Sequence, residues 1–324
     1  MGNLSRRFVE RLRTGPPILL DSAMGTELQR RDADTTLPLW SARALLQDPE
    51  LVWTIHGDEA ASGAEILTAN TFRTHGRTLA KAQMGERAEE LSALAIRLAH
   101  QAASMRDASR RGREIFVAGS LSPLEDCYRP DLAPETETME REHAAQARSL
   151  ADAGVDLILA ETHNSIREAR AAAKAAKATG LPFVVSLVTD GKGRLLSGEP
   201  IAEAAPALAE LSPEALGINC VRAASLSVDL AVLAASAPGL PLAAYGNLGL
   251  PADGPGWAFT DALDPEAYAG AARGWIEKGA RIVGGCCGTT PAYTRALARL
   301  IAGLAAPAEA AGSADSTSTT VRPA

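Results

Sequence analysis

The sequence predicts an α/β protein built as a single (β/α)8 TIM barrel. Three observations carry that prediction. Eight short apolar runs recur along the chain, and stretches with helical periodicity lie between them. The runs are continuously apolar rather than alternating, as expected of parallel strands covered on both faces. No G-x-G-x-x-G follows the first run, which disfavours an open doubly wound sheet.

A short basic arm, Ser5 to Arg13, is expected to form a helix ahead of the first strand. The strand candidates are Pro17–Asp21, Ala64–Asn70, Glu114–Gly119, Val155–Glu161, Pro182–Leu187, Ala215–Asn219, Pro241–Tyr245 and Arg281–Gly284. Helices are expected over Arg77–Met105, Pro134–Ala153, Ser165–Thr179, Ile201–Leu211, Ala224–Ala235, Pro265–Lys278 and Pro291–Ala305. Asp264 before Pro265 is an N-terminal cap followed by a first-turn proline. Gly154, Gly180 and Gly279 stand where helices stop. The last stretch is rich in Ala, Ser and Thr without periodicity and is expected to be disordered. The organisation is therefore an arm over 1–15, a barrel over 16–305 and a tail over 306–324.

Of 324 residues, 46% are apolar, enough for a large core, and the net charge is −7. A mildly acidic chain has no electrostatic footprint for nucleic acid or an anionic membrane. The run Ile18-Leu19-Leu20 is too short for a signal-peptide core, and Arg6 spoils a myristoylation signal at Gly2. No stretch approaches a membrane span. A cytoplasmic protein is expected, a monomer or small homo-oligomer acting on small molecules. Its four cysteines are too few for a disulfide framework and read better as metal ligands or core fillers.

Barrel chemistry sits at the C-terminal ends of the strands. Those ends carry Asp21-Ser22, Asn70-Thr71-Phe72, Gly119-Ser120, Glu161-Thr162, Asn219-Cys220, Gly246-Asn247 and Gly285-Cys286-Cys287-Gly288. Three cysteines thus converge on one rim. Cys220, Cys286 and Cys287 form a soft ligand set suited to Zn²⁺, and three protein ligands leave a fourth position open, the pattern of a catalytic zinc. Glycines around Cys286 and Cys287 let a tight turn present both sulfurs. Cys127 is read as a buried filler. Asp21 and Glu161 on the same rim suit a cationic group such as an ammonium. His56, His75 and His163 receive no role.

The run Gly284-Gly285-Cys286-Cys287-Gly288-Thr289-Thr290-Pro291 resembles the zinc signature of the homocysteine S-methyltransferase family. Gly217-Ile218-Asn219-Cys220 and Asp21-Ser22-Ala23-Met24-Gly25-Thr26-Glu27-Leu28 match in the same order, as do Thr68-Ala69-Asn70-Thr71-Phe72 and Ala118-Gly119-Ser120. Leu39-Trp40-Ser41-Ala42-Arg43 followed by Asp48-Pro49-Glu50 resembles the S-methylmethionine-using members. The resemblance spans Ile18 to Ala305. It also extends to the homocysteine-binding domain of methionine synthase and to betaine–homocysteine methyltransferase.

The resemblance implies that Cys220, Cys286 and Cys287 bind zinc, which activates the substrate thiol, and that Asp21 and Glu161 hold the homocysteine amino group. Amides around Ser22 to Gly25 would receive the carboxylate, and Asn247 would fill the fourth zinc position without substrate. Two departures stand out. Ser22 replaces a usual glycine, and Phe72 replaces the tyrosine of betaine-using relatives. The expected reaction is methyl transfer from a sulfonium, S-methylmethionine or S-adenosylmethionine, to homocysteine, giving methionine. Trp40 and Tyr245 are aromatic candidates for meeting the donor cation. Selenocysteine as acceptor, betaine as donor, a zinc hydrolase and a non-catalytic zinc or thiol module using Cys127 are the competing readings.

Overall fold

Eight parallel strands form one sheet in the computed structural model, which describes residues 2–105, 113–251, 257, 258 and 263–305. They are β1 (Ile18–Leu19), β2 (Ile66–Ala69), β3 (Phe116–Leu121), β4 (Leu157–His163), β5 (Phe183–Leu187), β6 (Ala215–Arg222), β7 (Leu242–Asn247) and β8 (Ala280–Gly285). The order runs β1-β8-β7-β6-β5-β4-β3-β2. A parallel bridge between Leu20 and Ile66 closes β1 onto β2, and the Glu65 N–H donates to the Leu19 carbonyl at 2.7 Å. The result is the expected (β/α)8 barrel. All eight strand candidates are strands, shifted by a few residues at their ends.

Side-chain alternation along each strand divides the core in two. Ile18, Leu20, Phe116, Ala118, Leu157 and Leu159 point into the barrel. Leu19, Val117, Ile158, Ala160, Val185 and Leu216 pack outward under the helices. The helix Ile166–Ala178 meets the strands through Ala169, Ala172, Ala173 and Ala176, all fully buried; small side chains let helix and sheet approach closely. The N-terminal helix Asn3–Arg13 plugs the bottom of the barrel, with Phe8 edge-on to Phe116 at 5.6 Å between centroids. The bottom is thereby sealed, and only the rim at the strand C-termini is left for a site.

Two helical expectations need correction. The stretch Arg77–Met105 is not one helix. It breaks into Gly76–Ala80, a single 3-10 turn at Gly85–Arg87, and Ala88–Ser104. The break follows Gln83, whose φ of 60° lies in the left-handed region, and the Met84 N–H turns back to the Leu79 carbonyl at 2.9 Å. Three helices that the sequence pattern did not single out, Met24–Arg30, Ala42–Gln47 and Pro49–Ser62, fill the connection from β1 to β2. The tail over 306–324 lies outside the described residues. Among the described residues no helix is long and apolar enough to cross a membrane.

Candidate functional site

A cavity of about 780 Å³ opens at the C-terminal rim of the barrel. Its wall includes Asp21, Glu161, Cys220, Cys286 and Cys287, and the loop residues Trp40, Phe72 and Tyr128. No histidine lines it among the described residues. His56, His75 and His163 are all buried elsewhere. Burial pushes the imidazoles of His56 and His163 down to about 4.

The three rim cysteines come together. Their sulfurs all lie within 4.8 Å of one another, and Cys220 Sγ is 3.0 Å from Cys286 Sγ. Two local devices produce this. Cys220 ends the regular part of β6 with a φ of 56°, a left-handed conformation that swings its side chain off the strand alternation. Cys286 and Cys287 sit in a turn completed by Gly288 at φ 88°. That turn is tied to β7 on both sides: the Cys286 N–H donates to the Gly246 carbonyl at 2.9 Å, and the Leu248 N–H donates to the Cys287 carbonyl at 3.0 Å.

The thiols share their protons unequally. Hydrogen bonds from Cys220 and Cys287 pull the Cys286 thiol down to about 5. The bond to Cys286 in turn raises Cys220, and bonds to Cys220 and then Cys286 raise Cys287, both well above the usual thiol range. One proton leaves this cluster readily. Removing the other two requires a positive charge in their place, which a divalent cation supplies. Asn247 adds a second observation. It is buried on β7 between the two residues that anchor the cysteine turn, and its side-chain oxygen accepts no hydrogen bond among the described residues. Three converging sulfurs fit a soft, four-coordinate metal with one position open.

Cys127 stands apart from that cluster. It is buried, its thiol is driven up by burial, and its carbonyl accepts from the Asn164 amide at 3.0 Å. A second grouping, His143, His163 and Glu168, is wholly buried behind β4. It forms a hydrogen-bond network: Glu168 accepts from the Leu124 N–H at 2.8 Å and lies 3.3 Å from the His143 ring.

Both predicted carboxylates reach the cavity. Asp21 accepts from the N–H and hydroxyl of Thr68 at 2.7 and 2.8 Å. Burial and the neighbouring Glu59 charge still raise its pKa well above the ordinary carboxyl value. Glu161 accepts from the Ser120 hydroxyl at 2.5 Å, and burial lifts it to about 7. Tyr245 is buried beside Glu161 and moderates that rise, although its hydroxyl makes no hydrogen bond of good geometry among the described residues. Neither acid pairs with a cation among the described residues, and an ammonium ligand would supply that charge.

Ser22 lines the cavity, but its hydroxyl is committed to Glu59 through a short hydrogen bond. Glu59 also accepts from Thr294 at 2.6 Å, and burial lifts it to about 6. Trp40 lies across Gly25 so closely that a Cβ there would sit 2.3 Å from the indole nitrogen. Glycine at 25 is what lets the indole form this wall.

Sequence reasoning missed two residues that build the site. Glu59 sits in a helix with no motif around it. Asn219 stands in the sequence only at a strand end and within Gly-Ile-Asn-Cys, with no role of its own. Its side chain accepts from the Thr162 N–H at 3.0 Å and the Ser186 hydroxyl at 2.8 Å, and donates to Thr162 Oγ1 at 2.8 Å. Thr162, beside Glu161, has a φ of 65°, unusual for a β-branched residue. Asn219 thus clamps the two strained strand ends that carry Glu161 and Cys220.

Comparison with known proteins gives a consistent picture. A family model described as homocysteine S-methyltransferase matches residues 18–301. Homocysteine S-methyltransferase YbgG of Bacillus subtilis is 31% identical over 293 residues, covering 86% of this chain and 93% of that protein. Selenocysteine methyltransferase of Astragalus bisulcatus is 30% identical over 317 residues, covering 89% and 93%. The crystal structure of the homocysteine methyltransferase MmuM from Escherichia coli in its metallated form superposes with a TM-score of 0.78 at 29% identity, covering 92% of this chain and 99% of that one.

Proposed function

Because the chain belongs to the homocysteine S-methyltransferase family, we propose that Cys220, Cys286 and Cys287 hold a zinc ion and that a sulfonium donor methylates homocysteine beside it. Methyl transfer to homocysteine is the family's reaction, and the chain is a methyltransferase. The observation that carries the finer reading is the convergence of three sulfurs within 4.8 Å on a cavity wall shared with two buried carboxylates.

Zinc bound there would lower the acceptor thiol's pKa, from about 8.5 in the free state, so that the sulfur is delivered as a thiolate at neutral pH. Asp21 and Glu161 receive the ammonium of homocysteine and gain the counter-charge they lack. With the sulfur and the ammonium both held, the acceptor has one orientation, and such positioning is worth up to about 7–11 kcal/mol in ideal intramolecular cases. Ala23, Met24 and Gly25 line the cavity at the start of a helix, which supports a carboxylate site there. Ser22 serves that turn from behind, through Glu59. Asn247 would supply an oxygen ligand when substrate is absent, and Trp40 and Tyr245 line the cavity that the donor cation enters.

The sulfur lone pair of the acceptor forms the new C–S bond as the donor's C–S⁺ bond breaks. The bonding pair passes to the departing sulfur, which leaves as a neutral thioether. The thiol proton goes to solvent beforehand, so the transfer itself asks for no protein base.

Selenocysteine is the second acceptor worth testing, since one relative of similar identity is a selenocysteine methyltransferase. The free thiols of the cluster need a reducing compartment, which supports a cytoplasmic location. Residues 16–305 carry the activity, as a monomer or small homo-oligomer. The test is a paired assay on purified protein: zinc content, and methionine formation from homocysteine with S-methylmethionine, S-adenosylmethionine or betaine. About one zinc per chain and turnover with a sulfonium support the proposal. Protein that holds no zinc after reducing preparation, yet turns over, sinks the zinc assignment.

A further inference from the structure

The chain after β2 bends through Thr71, whose hydroxyl donates to the Ser120 carbonyl at 2.9 Å, and this fixes Phe72 and Arg73 in the cavity wall. Arg73 is half-buried. One of its terminal nitrogens donates to the Glu125 carbonyl at 3.2 Å, its guanidinium carbon lies 5.3 Å from the centre of the Phe72 ring, and its Nε is buried without an acceptor among the described residues. The neighbouring cations are neutralised. Arg77 pairs with Glu142 at 2.7 Å and with Glu125 at 3.2 Å, and Lys81 pairs with Glu125. Arg73 forms no ion pair among the described residues. Lys81 is the only other cation among the described residues lining the cavity, and it is already paired.

A guanidinium with unmet donors in a cavity wall matches a planar oxyanion, and among the groups that the two substrates of the proposed reaction carry, the carboxylate is the one that fits. The question is which substrate brings that carboxylate. The acceptor's sulfur and ammonium belong to the cysteines and to Asp21 and Glu161 at the inner end. The donor's methyl carbon must face the acceptor sulfur in line with its own breaking bond, so the rest of the donor trails outward. Arg73 is held by Glu125 in the loop after β3; Glu125 also pairs with the part-exposed Lys81 and precedes the exposed Asp126, so Arg73 sits among residues on the solvent side of the cavity. A bare onium cation approaching Arg73 meets repulsion. A sulfonium carrying its own carboxylate turns the same charge into attraction.

We propose that Arg73 binds the carboxylate of the methyl donor and thereby selects an amino-acid sulfonium over a simple onium cation. This rests on the sulfonium-donor reading above and adds no step to the chemistry; the methyl still moves from one sulfur to the other with the bonding pair left on the donor.

The experiment compares wild type, Arg73→Gln and Arg73→Lys with two donors: S-methylmethionine, and (3-aminopropyl)dimethylsulfonium, which is the same molecule without its carboxylate. Arg73→Gln should raise the KM for S-methylmethionine by roughly 10- to 100-fold, the range expected for losing a charge-assisted pair, with the KM for homocysteine unchanged. The decarboxylated donor should be poor with wild type and no worse, or better, with Arg73→Gln. Arg73→Lys should recover part of the loss for S-methylmethionine alone. A donor KM that does not move, or a homocysteine KM that rises as much, overturns the assignment while leaving the reaction intact. Wild-type protein that turns over neither sulfonium overturns the donor reading and this proposal together.

Discussion

The sulfurs of Cys220 and Cys286 meet at 3.0 Å although 66 residues separate them in the chain. Closure of the barrel brings β6 and β8 to the same rim on either side of β7, and the left-handed backbone at Cys220 turns its sulfur toward the cysteine turn.

This juxtaposition predicts the effect of removing any one sulfur. Cys220→Ser, Cys286→Ser and Cys287→Ser should each bring zinc from about one per chain to near zero and abolish turnover, because two sulfurs leave the ion under-coordinated. Cys127→Ala should keep both zinc and activity. Metal analysis of the four variants checks this, and a Cys127→Ala protein stripped of zinc would contradict it.

The raised carboxyl of Glu161 predicts a pH dependence of acceptor binding. In the free enzyme Glu161 takes a proton below about 7. An ammonium binds the ionised form, so the KM for homocysteine should fall as pH rises from 6 to 8. In Glu161→Gln that part of the slope should vanish while the KM rises by roughly 10- to 100-fold at pH 8, the cost of losing a buried charge partner. Thiol ionisation contributes equally to both proteins, so the difference between the two pH profiles isolates the carboxylate.

Glu59 makes a prediction about stability. Its pKa rises from 4.5 to about 6 on folding because the side chain is buried. A carboxyl raised in this way holds its proton more tightly when folded than when unfolded. Its contribution to stability is therefore full below about 4.5 and is lost as pH rises through about 6. Glu59→Gln mimics the protonated form. It should match wild type near pH 4 and exceed it by about 2 kcal/mol at pH 8, at about 1.4 kcal/mol per pKa unit. Denaturant unfolding at the two pH values measures this. Equal stability of the two proteins at pH 8 would mean that Glu59 finds a compensating charge.

Asn219→Ala should separate from an ordinary core truncation. It leaves the Thr162 N–H and the Ser186 hydroxyl without their acceptor, at a cost of about 1–3 kcal/mol. It also frees the strained ends that carry Glu161 and Cys220. Zinc affinity, measured by competition with a chromophoric chelator, should fall by roughly 10- to 100-fold, as for other residues that orient metal ligands. Lost stability with unchanged zinc affinity would reduce Asn219 to a structural role.

The strands and the cysteine turn were legible from the sequence because each is a local property. An apolar run between polar boundaries marks a strand wherever it pairs, and two cysteines flanked by glycines form a turn with nearby atoms alone. The order of residues at the strand ends then followed from the barrel, whose geometry sends every such end to one rim. Partnerships across the chain were not legible. Nothing local to Ser22 points to Glu59, 37 residues on, and nothing local to Thr162 points to Asn219, 57 residues on. The helical period over Arg77–Met105 likewise gave no sign of the break after Gln83, where a tertiary turn overrides propensity. The barrel, its eight strands and the cysteine-bearing turn were set by the sequence, because burial pattern and turn chemistry are written residue by residue. Only closure of the sheet settles which buried acids meet hydroxyls, which strained ends are clamped and which cavity cation forms no ion pair among the described residues. Those outcomes depend on which polar groups reach one another once the sheet has closed.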